Sequence, residues 1–266
     1  MRLRATVLGC GSSGGVPRVG GDWGVCDPED PRNRRTRCSI LVRAGEGTDT
    51  TNILVDTSPD LREQLLRADV RRVDALLYTH DHADQCNGID DMRALSYRMR
   101  RQVPTYMDAP TREQLMLRFG YCFEMPEGRV HPPILDAMPT LQVGDTLTIE
   151  GPGGAVRIKA LGLSHGPTPS LGYLFEDRLA YTPDVHDIGE SALAALDGVG
   201  TWICDALRYH DHPTHAYADK TLMWQAHTRA KRMVLTNLHI DMNYATLSTE
   251  LPGAQLPAFD GLEVEA

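Results

Sequence analysis

No stretch of the 266-residue chain approaches the roughly 18 consecutive apolar residues of a membrane span. Residues 1–8 alternate like a strand and lack the apolar core of about 7–15 residues that a secretory signal carries. No C-x-x-C pair occurs among the six cysteines, and a chain this long needs no disulfide staples, so a reducing, cytoplasmic setting is expected. Positive charge is in deficit: 27 Lys+Arg stand against 36 Asp+Glu, a formal charge of −9. Such a balance excludes a broad basic field for nucleic acid or anionic membrane, because phosphate binding is driven by Lys and Arg displacing counter-ions. Neither a fixed-period repeat, a low-complexity tract nor an interdomain linker stands out, and residues 1–266 read as one domain. What is present, 41% hydrophobic and 24% charged residues, is globular.

Apolar, β-branched runs bounded by turn residues predict strands at 3–8, 38–43, 52–57, 73–79, 103–107, 146–150, 155–162, 171–176, 178–182, 201–205 and 232–236. Helical periodicity predicts 59–68, with Ser58 as N-cap and Pro59 in the first turn, then 88–101, 110–121, 189–197 and 215–230. Strands come as hairpin-like pairs and helices follow near the middle and the end. That order fits a layered α/β sandwich with helices outside two central sheets.

Gly9-Cys10-Gly11-Ser12-Ser13-Gly14 matches G-x-G-x-x-G after a strand. The continuation through Pro17 and Gly20-Gly21 cannot start the helix that a dinucleotide pyrophosphate requires, so the segment reads as a tight glycine turn, or as a backbone lip over a substrate phosphate. The basic stretch Arg32, Arg34, Arg35 and Arg37, with Arg18 nearby, reads mainly as a solvated hairpin face, with one guanidinium reserved for substrate phosphate.

The chemistry concentrates where the strand Val73–Thr79 runs into His80-Asp81-His82-Ala83-Asp84. Imidazole and carboxylate are ligands for Zn²⁺, Mn²⁺ and Fe²⁺, and positions 80 and 82 point the same way in extended chain. Later strands end in His165, Asp184 and His239, which supply further ligands.

On these residues the chain resembles the metallo-β-lactamase superfamily of dinuclear hydrolases. The family motif H-x-H-x-D-H stands here as His80-Asp81-His82-Ala83-Asp84-Gln85, and Asp56 matches the early aspartate that braces the metal loop. The Gly-rich start, Asn33–Ser39, Gly88–Arg93 and the segment His212-Pro213-Thr214-His215 are similar to the phosphodiesterase branch. The resemblance implies a four-layer αββα sandwich over 1–266. It also implies one or two ions of Zn²⁺ or Mn²⁺, the first held by His80, His82 and His165, Asp184 bridging, and the second held by Asp84 and His239. Gln85 replaces a second-site histidine and should weaken that site or favour Mn²⁺ there. No structural zinc is expected, since only Cys26 lies in the region where relatives cluster cysteines, and position 242 is methionine.

The resemblance further implies that Asp84 orients an attacking water and that His215, or His212 close behind it, protonates the leaving group or holds phosphate, with Asp205 in support. The expected activity is a metal-dependent phosphodiesterase on a small cyclic or nucleotide-like phosphodiester. Lactone or thioester hydrolysis, and a nucleotide-binding or cofactor-biosynthesis accessory role, are the alternatives. The expected partner is a small phosphate-containing substrate, with neither membrane nor broad nucleic-acid binding, and a homodimer stays open.

Overall fold

The computed structural model describes residues 1–266 apart from Pro126 and Arg129. In chain order its elements are β1 (Leu3–Gly9), β2 (Ser39–Glu46), β3 (Asp49–Val55), α1 (Leu61–Arg67), β4 (Ala75–Leu77), α2 (Ala83–Cys86), α3 (Met92–Met99), β5 (Val103–Tyr106), α4 (Ala109–Phe119) and β6 (Leu135–Ala137). The second half carries β7 (Thr146–Ile149), β8 (Val156–His165), β9 (Thr168–Phe175), β10 (Leu179–Thr182), β11 (Asp187–Ile188), α5 (Glu190–Ala195), β12 (Thr201–Asp205), α6 (Ala218–Thr228), β13 (Arg232–Thr236), α7 (Tyr244–Glu250), β14 (Gln255–Pro257) and β15 (Glu263–Glu265). One sheet has the order β15-β1-β2-β3-β4-β5-β6; the other runs β11-β8-β9-β10-β12-β13-β14, with β7 paired to β8.

Strand parity builds the layers. Ile40, Val42, Ile53, Val55, Ala75 and Leu77 point inward, where they meet Ile158, Tyr173, Phe175, Tyr181, Ile203 and Val234 of the other sheet in one buried core. The intervening Leu41, Leu54 and Leu76 point outward and are covered by Leu61, Leu65, Met92, Leu95 and Leu115 from α1, α3 and α4. On the far side Leu174, Trp202, Cys204 and Met233 pack under Ala192, Trp224 and Leu247 from α5, α6 and α7. Sheets apolar on both faces explain why these strands read as continuous hydrophobic runs. The architecture is the expected αββα sandwich.

Two local expectations change. Ser58 is not the N-cap of α1: its hydroxyl donates to Gln64 Oε1 at 2.9 Å and accepts from the Asp60 amide at 3.2 Å, and Asp60 holds the cap position. The expected helix at 88–101 shortens to Met92–Met99 behind a 3₁₀ turn at Ile89–Asp91. The strands that the sequence pattern does not show, β6, β11, β14 and β15, are two or three residues long and exist through pairing with distant partners.

At one edge the two sheets are stitched together. The Leu171 amide of β9 donates to the Thr79 carbonyl just beyond β4 at 2.8 Å, and the Tyr173 hydroxyl donates to the Tyr78 carbonyl at 2.5 Å. The glycine turn after β1 joins them too, with the Leu238 amide on the Cys10 carbonyl at 2.8 Å. The loop after β4 is pressed down at Gly88, whose amide donates to the Thr57 carbonyl at 2.9 Å. A Cβ there would lie 2.0 Å from the Ser58 carbonyl oxygen, a backbone atom that cannot swing away. Gly88→Ala is therefore expected to destabilise the fold by about 1–3 kcal/mol or more, the usual cost of forcing atoms into a packed interior, read as a lower urea midpoint.

Candidate metal centre

The ends of β4, β8, β10, β12 and β13 converge on this stitched edge. Asp56 follows β3 at φ 63°, a left-handed conformation that Asp tolerates better than most residues and that turns its side chain under the next strand end. Its carboxylate accepts the Thr79 amide at 2.8 Å and the Thr79 hydroxyl at 3.0 Å, and that hydroxyl lies 3.0 Å from His80 Nδ1. Burial pushes the Asp56 carboxyl well up, and the Thr79 hydrogen bonds pull it down. With Asp56 ionised, Thr79 must donate to it and accept from His80 Nδ1–H, which leaves Nε2 bare. That Nε2 is buried and without a hydrogen-bond partner.

His165, the last residue of β8, is held the same way: its Nδ1 lies 2.7 Å from the Thr214 carbonyl, so the N–H points outward and Nε2 faces the cluster, 3.3 Å from His82 Nδ1. Burial and the neighbouring His215 depress the His165 pKa to about 4, and burial with the surrounding imidazoles drives His80 well below its ordinary value. Donor atoms of His80, His82 and His165 all lie within 4.8 Å of one another, as do those of His165, Asp184 and His215. Two bare imidazole nitrogens, one of them orphaned in a buried site, beside a carboxylate that is 2% exposed, form a donor set that fits a divalent cation.

Thr79 and Asp56 thus orient His80 without being metal ligands themselves. Asp56→Asn keeps the backbone conformation but presents an NH₂ to one of the two Thr79 donors. Metal affinity, measured by competition with a chromogenic chelator, is expected to fall about 10–100-fold.

The other wall comes from 206–217, a loop closed by Leu207 N to the Ala216 carbonyl at 2.9 Å. It delivers His215, whose Nδ1 sits 2.8 Å from Asp205 Oδ2 at the end of β12 and whose ring centroid is 4.6 Å from that of His165. Burial works to lower the His215 pKa, but the Asp205 charge and hydrogen bond, helped by Asp184 and Asp84, outweigh it and raise the value to about 9. His212 stands beside it, ring centroids 5.1 Å apart, with its Nδ1 engaged by Thr214. Asp84 lies in neither donor group; it is half-buried, and its charge acts on both His215 and Asp184.

His239 is not brought to the cluster. Its Nδ1 is 2.8 Å from Asp241 Oδ2 and its Nε2 meets the Arg18 guanidinium, so both ring nitrogens are engaged away from Asp184. The side chain that reaches Asp184 from the end of β13 is instead Asn237, at φ 61°, with Nδ2 3.0 Å from the Pro183 carbonyl and 3.5 Å from Asp184 Oδ1. Opposite it, Gln85 Nε2 donates to Asp184 Oδ2 at 2.9 Å. The solvated reading of the arginines fails for Arg35, which is 2% exposed and donates to the Met242 carbonyl at 2.6 Å and the His239 carbonyl at 3.2 Å. Arg37 is paired to Asp60, and Arg18 and Arg208 are the guanidinium groups whose charge reaches His239.

A family model described as a beta-lactamase superfamily domain matches residues 51–240, which contain every donor above. The chain belongs to the beta-lactamase superfamily. Within this superfamily it lies in the phosphodiesterase-like branch. A diphosphatase from the PhnP family superposes with a TM-score of 0.85 at 34% identity, over 100% of this chain and 98% of that one. The metallo-beta-lactamase fold protein YhfI from Bacillus subtilis shares the fold at a TM-score of 0.71 and 18% identity, covering 100% and 99% of the two chains. An octanoyltransferase from Porphyromonas gingivalis is 32% identical over 98% of this chain; the chain spans about half of that relative's length, 51%. Among the described residues no helix is long and apolar enough to cross a membrane, and the six cysteines are free and buried.

Proposed function

We propose that the protein is a metal-dependent phosphodiesterase acting on a small cyclic or nucleotide-like phosphodiester. The observation that carries this reading is the His215–Asp205 pair standing 4.6 Å, ring to ring, from a histidine of the donor set. Zn²⁺ or Mn²⁺ at His80, His82, His165 and Asp184 would supply Lewis-acid charge and lower the pKa of a water. Asp84 orients the attacking water and accepts its proton as the water oxygen forms the new bond to phosphorus. His215 Nδ1 stays on Asp205, which leaves Nε2 to deliver a proton to the departing oxygen, and the products are a phosphomonoester and an alcohol. His212, whose Nδ1 is on Thr214 and whose Nε2 is left over, and Arg18 would hold the non-reacting phosphate oxygens. The likeness to a diphosphatase at 34% identity supports cleavage at phosphorus.

A second reading, hydrolysis of an acyl thioester, draws on the likeness to an octanoyltransferase. A thiol, with an ordinary pKa of about 8.5, departs as thiolate without a proton donor, and the carboxylate-held His215 would then have no task. Protein loaded with Mn²⁺ or Zn²⁺ is expected to hydrolyse bis-p-nitrophenyl phosphate or a 2′,3′-cyclic nucleotide. Absence of turnover on every phosphodiester tried, with either metal, would remove the proposal.

A further inference from the structure

In the dinuclear arrangement that the motif pattern implies, Asp184 bridges two cations. In this chain each of its oxygens already faces the NH₂ group of an uncharged amide: Gln85 Nε2 lies 2.9 Å from Oδ2, and Asn237 Nδ2 lies 3.5 Å from Oδ1. Asp84, the other carboxylate that would share a second ion, stands close enough for its charge to act on Asp184. His239, the imidazole expected on that side, is committed to Asp241 and Arg18. On the other side His80 Nε2 is buried without a partner, and His165 Nε2, free of its own proton, faces His82 Nδ1 at 3.3 Å.

We propose that the centre is built for one divalent cation, held by His80, His82, His165 and Asp184, and that the Gln85 amide, with Asn237 beside it, occupies the place of a second. The chemistry favours this division. Three imidazole nitrogens with one carboxylate beside them suit Zn²⁺, whose catalytic sites take three protein ligands and a water and can expand to five-coordinate. The remaining side offers the Asp84 carboxylate, two amide NH₂ groups turned toward Asp184 that have no lone pair to give a metal, and the neutral Gln85 Oε1, a poorer ligand than imidazole. One divalent charge also offsets Asp84 and Asp184 together, whereas the further imidazole a second ion would meet beside Asp184, His215, has its Nδ1 held on Asp205 at 2.8 Å. Gln85 and Asn237 are thereby positioning residues: they fix the two oxygens of Asp184 so that one ion is gripped in a defined place.

This inference rests on the metal-centre reading above, and metal counting separates the two. Wild-type protein dialysed against excess Zn²⁺, then against buffer, should retain one ion per chain by inductively coupled plasma and native mass spectrometry. Gln85→Glu is nearly isosteric and puts a carboxylate oxygen where the NH₂ group stands, which leaves the new carboxylate facing Asp84 and Asp184 with Asn237 Nδ2 as the donor that remains on Asp184. It should recruit a second ion, bringing the count to two, with a second thermal-shift transition on metal titration. Two retained ions in the wild type would overturn the inference and leave the phosphodiesterase reading intact. No retained ion in the wild type would overturn both. A folded Gln85→Glu protein that still holds one ion would overturn the role given to the amide.

Discussion

Replacing His80 with alanine is expected to reduce phosphodiester turnover by about 10³-fold or more, because it removes the donor most completely prepared for a cation. Asp56 holds Thr79, Thr79 orients His80, and the orphaned Nε2 is what remains to be satisfied. A bound cation contributes several kcal/mol of transition-state charge stabilisation, and each ~1.4 kcal/mol is tenfold in rate. The structure around it should survive. The alanine loses an imidazole that no protein atom satisfies at Nε2, and the flanking backbone is fixed by Leu171 and Tyr173. Circular dichroism should be unchanged, while retained metal falls along with the rate.

The second large effect is expected at His215, and it should depend on the leaving group. A positioned acid is worth about 10²–10⁴-fold. His215→Ala should therefore cost on that order for a substrate that expels an alkoxide, such as a cyclic nucleotide, and far less for a nitrophenolate that departs unaided. The pH profile carries the sign. An acid must be protonated to act, so the rate should fall as pH rises through the His215 pKa, raised to about 9 by Asp205. Asp205→Asn removes the charge that raises it. The falling limb should then move toward the ordinary histidine value of about 6.5, and the rate at neutral pH should drop as protonated His215 becomes scarce.

Much of this site is legible in the sequence, and the exceptions have physical causes. His80, His82 and Asp84 stand out because a buried strand rarely runs straight into three metal-type ligands, and His165 and Asp184 because each closes a strand. The side chain facing Asp184 from β13 is less legible. Asn237 and His239 are two positions apart, and alternation alone would send both the same way. The positive φ at Asn237 breaks that alternation; it turns the amide inward and leaves His239 to Arg18. No propensity announces that bend, although Asn is among the residues that tolerate it. Arg35 fails for a different reason: a buried guanidinium is tolerable only if carbonyl acceptors are delivered to it, and these come from residues 239 and 242, some 200 positions away. Gln85 is legible as a departure from the family motif, but its role as a donor to Asp184 appears only when β4 and β10 end side by side. The layers were easier to read, because strand parity divides Leu41, Leu54 and Leu76 from Ile40, Val42 and Val55 without long-range information.

Metal-loaded protein assayed side by side on a 2′,3′-cyclic nucleotide and on an octanoyl thioester tests the central claim most directly, with kcat/KM measured for the wild type and for His215→Ala. The account predicts that the phosphodiester is the better substrate and that its hydrolysis alone collapses in the variant. A wild type that turns over the thioester faster than the phosphodiester, with His215→Ala leaving both rates unchanged, would contradict it.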